Sequence, residues 1–248
     1  MGIRSFLAKK LDFNDKKFLK KQTNIYSILA LDRKKALEKL NQILKTEFNR
    51  EYDENYGMWS EHLIILSALS ESYQFTKILE IGTFKGETTL VITKLFPTAK
   101  IITVDLPEEN LLDSNTYRYE FGNQNQLSKV KKSKIDSSNV NFLRMNSLNL
   151  FKLHDKFELI WVDGDHTYPT VISDILNSIR LLDEDGLMLC DDVIKSNLFN
   201  YNSSKDTYDL LKFLKMKKVI DFQIIPKRVG TYHRLFRRKY IGIISRCI

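Results

Sequence analysis

The chain has few cysteines and no long apolar run, and each shortage excludes a class of protein. Two cysteines among 248 residues cannot form a disulfide framework, and their scarcity favours a reducing, cytoplasmic location. No stretch reaches the roughly 18–20 apolar residues of a membrane-spanning helix, and no secretory apolar block is found near the N-terminus. Because hydrophobic residues still make up 43% of the chain, we expect a folded protein with a substantial core.

Positive charge is concentrated near the two ends of the chain, within residues 9–21 and 227–239. The net charge of +8 could draw the protein to an anionic partner such as nucleic acid or a lipid surface. An ordinary solvated surface is the simpler interpretation, and we favour it. Apolar residues stand beside cations at positions 3–11, which would permit weak peripheral contact with a membrane. A cap helix or a contact between copies of the chain, forming a homo-oligomer, is the favoured role of this segment.

Hydrophobic patterning divides the chain near residue 58. Residues 1–58 are polar, with apolar residues at helical spacing, and predict a helical cap that shapes a substrate pocket or joins subunits. Residues 59–248 alternate short apolar strands with helices, a pattern typical of a mostly parallel, doubly wound sheet. The strands are predicted at 77–81, 100–105, 140–145, 159–162 and 186–190.

Two further β-rich segments, 219–226 and 239–245, have no clear helix between them and predict an antiparallel pair at the sheet edge. The predicted fold class is therefore α/β. It is a seven-stranded, mostly parallel, Rossmann-like sheet with an antiparallel edge strand and an N-terminal helical cap.

A glycine-containing loop, Glu80-Ile-Gly82-Thr-Phe-Lys-Gly86-Glu-Thr88, joins the first strand to its helix. Glycines permit a tight turn and the close approach of a ligand, which the amides of a helix N-terminus would face. Asp105 ends the second strand, where a carboxylate can accept hydrogen bonds from both hydroxyls of a ribose. The glycine spacing departs from the fingerprint that binds a pyrophosphate, and the nearby Glu80 would repel one. The loop therefore favours a cofactor that carries a cationic sulfonium and an amine.

Acidic residues follow the fourth and fifth strands, at ends that meet at one edge of the sheet. The first group is Asp163-Gly-Asp165-His166, and the second is Asp191-Asp192. Carboxylates gathered at such an edge can hold a hard divalent cation, and a histidine beside them can take a proton. Two alternatives stay open: Asp165 could replace Asp163 as a ligand, and Asp165 or His166 could simply cap the next helix.

From about residue 59 to residue 193, the chain resembles the class I S-adenosylmethionine-dependent methyltransferases. The resemblance is carried by Ile78–Gly82, Asp105, Met145–Ser147, Trp161–His166 and Asp191–Asp192. It implies that the first loop holds the methionine part of the cofactor, that the acid of strand two holds the ribose and that residues after strand three lie beside the adenine. The cofactor-binding residues predicted in this way are Ser60, Glu80, Gly82, Thr83, Gly86, Thr88, Asp105, Asn146 and Ser147.

Within this class, the chain is most similar to the metal-dependent O-methyltransferases of the catechol and macrolide-sugar types. That resemblance implies Mg²⁺, or another divalent cation, held by Asp163, Asp191 and Asp192. It also implies a general base at His166, three residues after Asp163, as in the sugar enzymes. The predicted reaction is methyl transfer from S-adenosylmethionine to a hydroxyl of a small molecule such as a sugar or a glycan precursor, with Asp163 and His166 as catalytic residues.

Other functions on the same fold stand as alternatives. The positive charge would suit a nucleic-acid methyltransferase, but the chain lacks the motifs that such enzymes use for exocyclic amines or for cytosine. A metal-using hydroxylase or a non-catalytic binding protein is a further alternative, because a fold does not fix chemistry. The intact acid cluster disfavours the non-catalytic alternative.

Overall fold

The computed structural model describes residues 3–106, 124–195, 205–229 and 239–247. The membrane-contact alternative depends on side chains at positions 3–11, and these lie outside the described part, as does the basic stretch at 230–238. No helix within the described ranges is both long enough and apolar enough to cross a membrane.

The N-terminal region is helical, as its pattern predicts. Helix α2 begins after Asp32, whose side chain accepts hydrogen bonds from the backbone N–H groups of Lys34 and Lys35, and its buried residues recur every fourth position. The helices are α1 (Ile3–Ile28), α2 (Arg33–Phe48), α3 (Glu61–Ser72), α4 (Glu87–Leu95), α5 (Gln124–Ile135), a 3₁₀ helix (Ser147–Lys152), α6 (Thr170–Leu181) and α7 (Lys205–Met216).

The predicted α/β fold is confirmed: seven strands form one mixed sheet in the order β3-β2-β1-β4-β5-β7-β6. The pairs among β1 to β5 are parallel, whereas β7 is antiparallel to both of its neighbours and lies second from the edge. The strands are β1 (Lys77–Ile81), β2 (Lys100–Asp105), β3 (Val140–Arg144), β4 (Phe157–Val162), β5 (Leu182–Val193), β6 (Ile220–Pro226) and β7 (Tyr240–Arg246). Strand β5 begins at Leu182, four residues before its predicted start.

Alternation along the strands produces one apolar core on each face of the sheet. Ile78 and Leu159 belong to the first core, which α3 covers, whereas Leu79 and Ile160 belong to the second, which α6 and α7 cover. The first core also contains Ile25, Leu40 and other buried residues of α1 and α2, so the N-terminal helices share a core with the sheet.

An ion pair between the half-buried Arg33 and the buried Glu61 joins the N-terminal helices to α3. Arg33 donates to both carboxylate oxygens of Glu61 at 2.6 and 2.8 Å, and the hydroxyl of Tyr26 donates to Oε1 at 2.9 Å. Burial raises the pKa of Glu61, while Arg33 opposes that shift. This arrangement fixes the start of α3, the helix that borders the functional edge of the sheet.

Candidate active site

The loop after β1 bends at glycines that the backbone requires. Gly82 has a φ of +93° and Gly86 a φ of +74°. A Cβ atom on Gly82 would lie 2.2 Å from the carbonyl oxygen of Asp163, so only glycine fits there. The predicted cofactor loop and the first acid of the predicted catalytic cluster are therefore in main-chain contact.

Beneath this loop lies a layer of buried polar groups. Glu80 is fully buried, and its Oε2 accepts hydrogen bonds from Thr89 Oγ1 at 2.5 Å and Thr103 Oγ1 at 2.6 Å. The hydroxyl of Thr83 lies 2.7 Å from that of Thr103, so it points into the layer. Burial raises the pKa of Glu80 to about 8. Within the described residues, Glu80 Oε1 and Trp161 Nε1 are buried without a hydrogen-bond partner, and their strands place both residues on one face.

The predicted ribose acid is already bonded to a lysine that the sequence interpretation missed. Asp105 Oδ2 accepts hydrogen bonds from the Phe84 N–H at 2.9 Å and from the Lys131 ammonium at 2.8 Å, and Oδ1 accepts from the Leu106 N–H at 2.9 Å. Lys131 is 1% exposed. Because each carboxylate oxygen has two lone pairs, Oδ2 is fully used and Oδ1 can take one further donor.

Ser60 is the N-cap residue of α3, but its side chain makes no capping hydrogen bond. Its hydroxyl lies 2.7 Å from Nδ1 of His62, whose Nε2 is 3.4 Å from the hydroxyl of Thr88. The His62 ring stacks on Trp161 with 4.9 Å between centroids. Burial lowers the pKa of His62 to about 3, so this imidazole is neutral. Ser60 and Thr88 are thus brought together through His62, which is not among the site residues predicted from the sequence.

The two residues predicted beside the adenine begin the 3₁₀ helix after β3. The side chain of Asn146 accepts a hydrogen bond from the backbone N–H of Leu148 at 2.9 Å and caps that helix. Asn146 is exposed and Ser147 half-buried, so both are accessible from the carboxyl edge of the sheet.

Asp163, His166 and Asp191 come together at the carboxyl ends of β4 and β5. One potential ligand atom from each lies within 4.8 Å of the others. His166 Nε2 is 3.4 Å from Asp163 Oδ1 and 3.7 Å from Asp192 Oδ2. The structure places Asp165 outside this cluster, since its exposed carboxylate accepts hydrogen bonds from the backbone and hydroxyl of Thr167.

Two lysines complete the cluster. Lys227 follows β6 directly, and its ammonium bonds Asp191 Oδ2 and, at 2.8 Å, Asp192 Oδ1. Lys239, which precedes β7, bonds Asp192 Oδ2. Lys227 is 7% exposed and Asp191 2%. Asp192, one of the three predicted metal ligands, is therefore bonded to two ammonium groups. It is not part of the group that Asp163, His166 and Asp191 form.

The charges of these groups shift one another. Burial and the charge of Asp191 raise the pKa of Asp163. Burial acts to raise the pKa of Asp191 as well, but the ammonium of Lys227 holds it below its usual range. Burial opposes protonation of His166, but its neighbours Asp163 and Asp192 raise its pKa overall. An imidazole in this position can accept and hold a proton.

Comparison with known proteins agrees with this geometry. Residues 79–193 match the model of a family described as a methyltransferase domain. This segment runs from the cofactor loop to the end of the acid pair. Over these residues the chain carries a methyltransferase domain of the class I, S-adenosylmethionine-dependent type. No curated protein sequence matches the chain.

Solved structures share the fold of this methyltransferase. The O-methyltransferase TomG from Streptomyces achromogenes, involved in tomaymycin synthesis and solved with S-adenosylmethionine, aligns with a TM-score of 0.55 and 16% identity over 92% of this chain and 96% of its own. The O-methyltransferase from Bacillus cereus, solved with S-adenosylhomocysteine, aligns with a TM-score of 0.55 and 13% identity over 94% of this chain and 99% of its own. At these identities the likeness shows the fold.

The sequence interpretation of this methyltransferase missed Lys227 and Lys239 as site residues, because only the strand topology brings them to the acids. Lys227 and Lys239 are the ends of the basic run that the sequence suggested as a solvated surface. In an antiparallel β6–β7 pair, the end of β6 and the start of β7 meet, and Tyr240 pairs with Val193. The residues that flank the two strands therefore lie beside the acids that end β5.

Proposed function

We propose that this methyltransferase transfers the methyl group of S-adenosylmethionine to a hydroxyl of a small molecule, in particular a sugar or a glycan precursor. The observation that carries the proposal is the Asp163–His166–Asp191 cluster, which touches the cofactor loop through the contact between Gly82 and Asp163. Carboxylates and an imidazole accept hydrogen bonds from hydroxyl groups, which suits an acceptor rich in them.

The cofactor would lie over the loop from Gly82 to Gly86, with its ribose at Asp105 and its adenine beside Asn146 and Ser147. Glu80 Oε1 is a buried carboxyl oxygen without a partner in the described part of the chain, so it supports a role in binding the cationic methionine end, whose positive charge would favour the ionised form of Glu80. We expect Ser60, Thr83 and Thr88 to act there indirectly, since the hydroxyl of each faces a neighbouring side chain.

The reaction needs a base beside the acceptor oxygen. His166 would take the hydroxyl proton, and the freed oxygen lone pair would form the bond to the methyl carbon. The carbon–sulfur bond then breaks, and its electron pair stays on sulfur to give neutral S-adenosylhomocysteine. Asp163 would orient the His166 ring and stabilise its charge. Asp191 Oδ1 is buried and has no hydrogen-bond partner among the described residues. It would accept a hydrogen bond from a hydroxyl of the methyl-accepting substrate.

The divalent cation predicted from the sequence requires a donor set that the folded chain supplies only in part. Asp163 and Asp191 come together, but Asp192 is bonded to both lysines, and a histidine takes its place in the cluster. Mg²⁺ prefers an all-oxygen shell. The predicted three-carboxylate site does not fit this arrangement, so we derive no step through a metal ion.

The test is a transfer assay with methyl-labelled S-adenosylmethionine against nucleotide sugars, macrolide glycosides, catechols and a control RNA. His166→Asn should lower transfer about 10²–10⁴-fold while leaving S-adenosylhomocysteine affinity within about twofold of wild type. His154→Asn, at an exposed loop position, is the matched control and should change neither quantity. A chain that binds no S-adenosylmethionine, or that methylates only RNA, would overturn the proposal.

A further inference from the structure

An irregularity in β5 turns two adjacent carboxylates toward one point. Successive side chains of a regular strand point to opposite faces, so Asp191 and Asp192 should diverge. The pairing of β5 with β7 shifts register between Cys190 and Val193, and Asp192 adopts a φ of +55°. As a result both carboxylates reach the ammonium of Lys227.

The lysines use most of the oxygens that the acid pair offers. Lys227 bonds one oxygen of Asp191 and one of Asp192, and Lys239 bonds the second oxygen of Asp192. Asp191 Oδ1 is the one oxygen of the pair that they leave. A divalent ion at Oδ1 would share this carboxylate with an ammonium and be repelled by it.

The same groups nearly balance in charge. Asp163, Asp191 and Asp192 bring three negative charges, and Lys227 and Lys239 bring two positive charges, which leaves a net charge of −1. A proton on His166 would bring the net charge to zero. Among the described residues, the cluster therefore has no large negative charge for a divalent ion to neutralise.

Lys227 is held at its base as well as at its tip. Its N–H donates to the carbonyl of Lys239 at 3.1 Å, and its own carbonyl accepts from the N–H of Glu61 at 3.0 Å. The next residue, Arg228, donates to the carbonyl of Trp59 at 2.8 Å. These contacts fix the backbone around Lys227 and so keep its ammonium in the cluster.

We infer that the ammonium of Lys227 is the resident cation of this site and takes the place of the divalent ion that the acids would otherwise predict. Lys227 is then a positioning residue. It keeps Asp191 and Asp192 ionised and converged, and His166 acts as base without a Lewis acid. The inference rests on the proposed function, but its test measures ion binding and not methyl transfer. A failure of the inference can therefore be distinguished from a failure of the proposed function.

The test is a Mn²⁺ titration of the full chain followed by electron paramagnetic resonance. Lys227→Met, which removes the charge and shortens the side chain by one atom, should bind one equivalent of Mn²⁺ at the cluster, and its affinity should exceed that of wild type at least about tenfold. The added Asp191→Asn change should abolish that binding. Lys239→Met is the matched control: it removes a cation from Asp192 but leaves Asp191 paired, so Mn²⁺ affinity should stay at the wild-type level.

Thermal melting provides the second measurement, because Lys227→Met leaves the buried Asp191 without a cation and Asp192 with Lys239 alone. Mn²⁺ should restore the melting temperature of Lys227→Met and leave that of Lys239→Met unchanged. Two results would overturn the inference: stoichiometric Mn²⁺ binding by wild type that Asp191→Asn removes, or a folded Lys227→Met chain that binds Mn²⁺ no better than wild type.

Discussion

A side-chain carbon on Gly82 would lie 2.2 Å from the backbone carbonyl oxygen of Asp163. This closeness makes the loop after β1 and the end of β4 one unit, and it explains why residue 82 has no side chain. It also gives a test of whether cofactor binding depends on this contact.

Gly82→Ala should lower the free energy of unfolding by about 2–4 kcal/mol and weaken S-adenosylhomocysteine binding at least about tenfold, because the methyl group must push the two segments apart. Urea unfolding and calorimetry measure the two effects. Gly57→Ala is the control: Gly57 also has a positive φ, +53°, but no atom of the described residues lies within 4 Å of a Cβ there. It should cost about 1–2 kcal/mol and leave binding unchanged. Equal effects of the two changes on binding would contradict the role of the contact.

Glu80 should make stability depend on pH. Its folded pKa of about 8 lies above its ordinary value of 4.5, so between these values the folded state holds a proton that the unfolded state has lost. Its contribution to the free energy of unfolding therefore falls as pH rises from about 4.5 to 8, by at most about 1.4 kcal/mol per pH unit. Glu80→Gln should remove this fall, as urea unfolding from pH 5 to pH 8 would show.

The matched control for Glu80 is Glu71→Gln. Glu71 pairs with Lys35 and Lys39 near the surface, and its pKa is lowered by those partners. The free energy of unfolding that Glu71 contributes, measured as the difference between wild type and Glu71→Gln, should not fall as pH rises. If the difference between wild type and Glu80→Gln is constant with pH, Glu80 does not hold the proton.

Lys131 should compete with the cofactor ribose for Asp105. Lys131→Met frees one lone pair of Asp105 Oδ2, so S-adenosylhomocysteine should bind about five- to tenfold more tightly, the value of one hydrogen bond. Without ligand, the variant should melt at a lower temperature because Asp105 has lost its cation. Calorimetry and thermal melting measure these changes.

Lys134→Met is the control for Lys131, since Lys134 lies on the same helix and pairs with Glu87 at 3.0 Å but does not touch Asp105. It should not tighten binding. Weaker binding by Lys131→Met would mean that the lysine helps to hold the cofactor and does not compete with it.

Arg33 should contribute strongly to stability because its partner is buried. Arg33→Met leaves the carboxylate of Glu61, 1% exposed, without its cation and should cost about 3–5 kcal/mol. Lys35→Met removes a solvent-exposed pair with Glu71 that water screens, so it should cost far less. Urea unfolding compares the two variants. Similar small losses would show that α2 adds little to the stability of the sheet.

The fold could be predicted because each strand carries its own signal. Ile78–Ile81 and Ile101–Val104 are continuously buried and apolar except for Glu80 and Thr103, as expected of buried parallel strands, and the acids that follow such strands must meet at one edge. The positions of Asp105, Asp163 and Asp191 followed from this rule. It also allowed the choice between Asp163 and Asp165 in favour of the residue nearer the strand.

The charge partners could not be predicted in the same way. Lys131 reaches Asp105 across 26 positions and Lys227 reaches Asp191 across 36, and no local pattern distinguishes them from the surface lysines around them. The register shift beside Asp191 also has no signature in the sequence, so the turn of Asp192 toward the lysines was unforeseen. Pairings between distant segments depend on the folded topology.

The contacts of residues 227–229 have a consequence for engineering. Arg228 bonds the carbonyl groups of Gly57 and Trp59, and the N–H of Val229 bonds the side chain of Glu54. Residues that precede the methyltransferase motifs therefore hold the segment 227–229 in place. A shortened chain that begins at residue 59 would keep every predicted site residue but would lose the contacts of this segment with Glu54 and Gly57. A minimal catalytic fragment should therefore retain the segment from Glu54 onward.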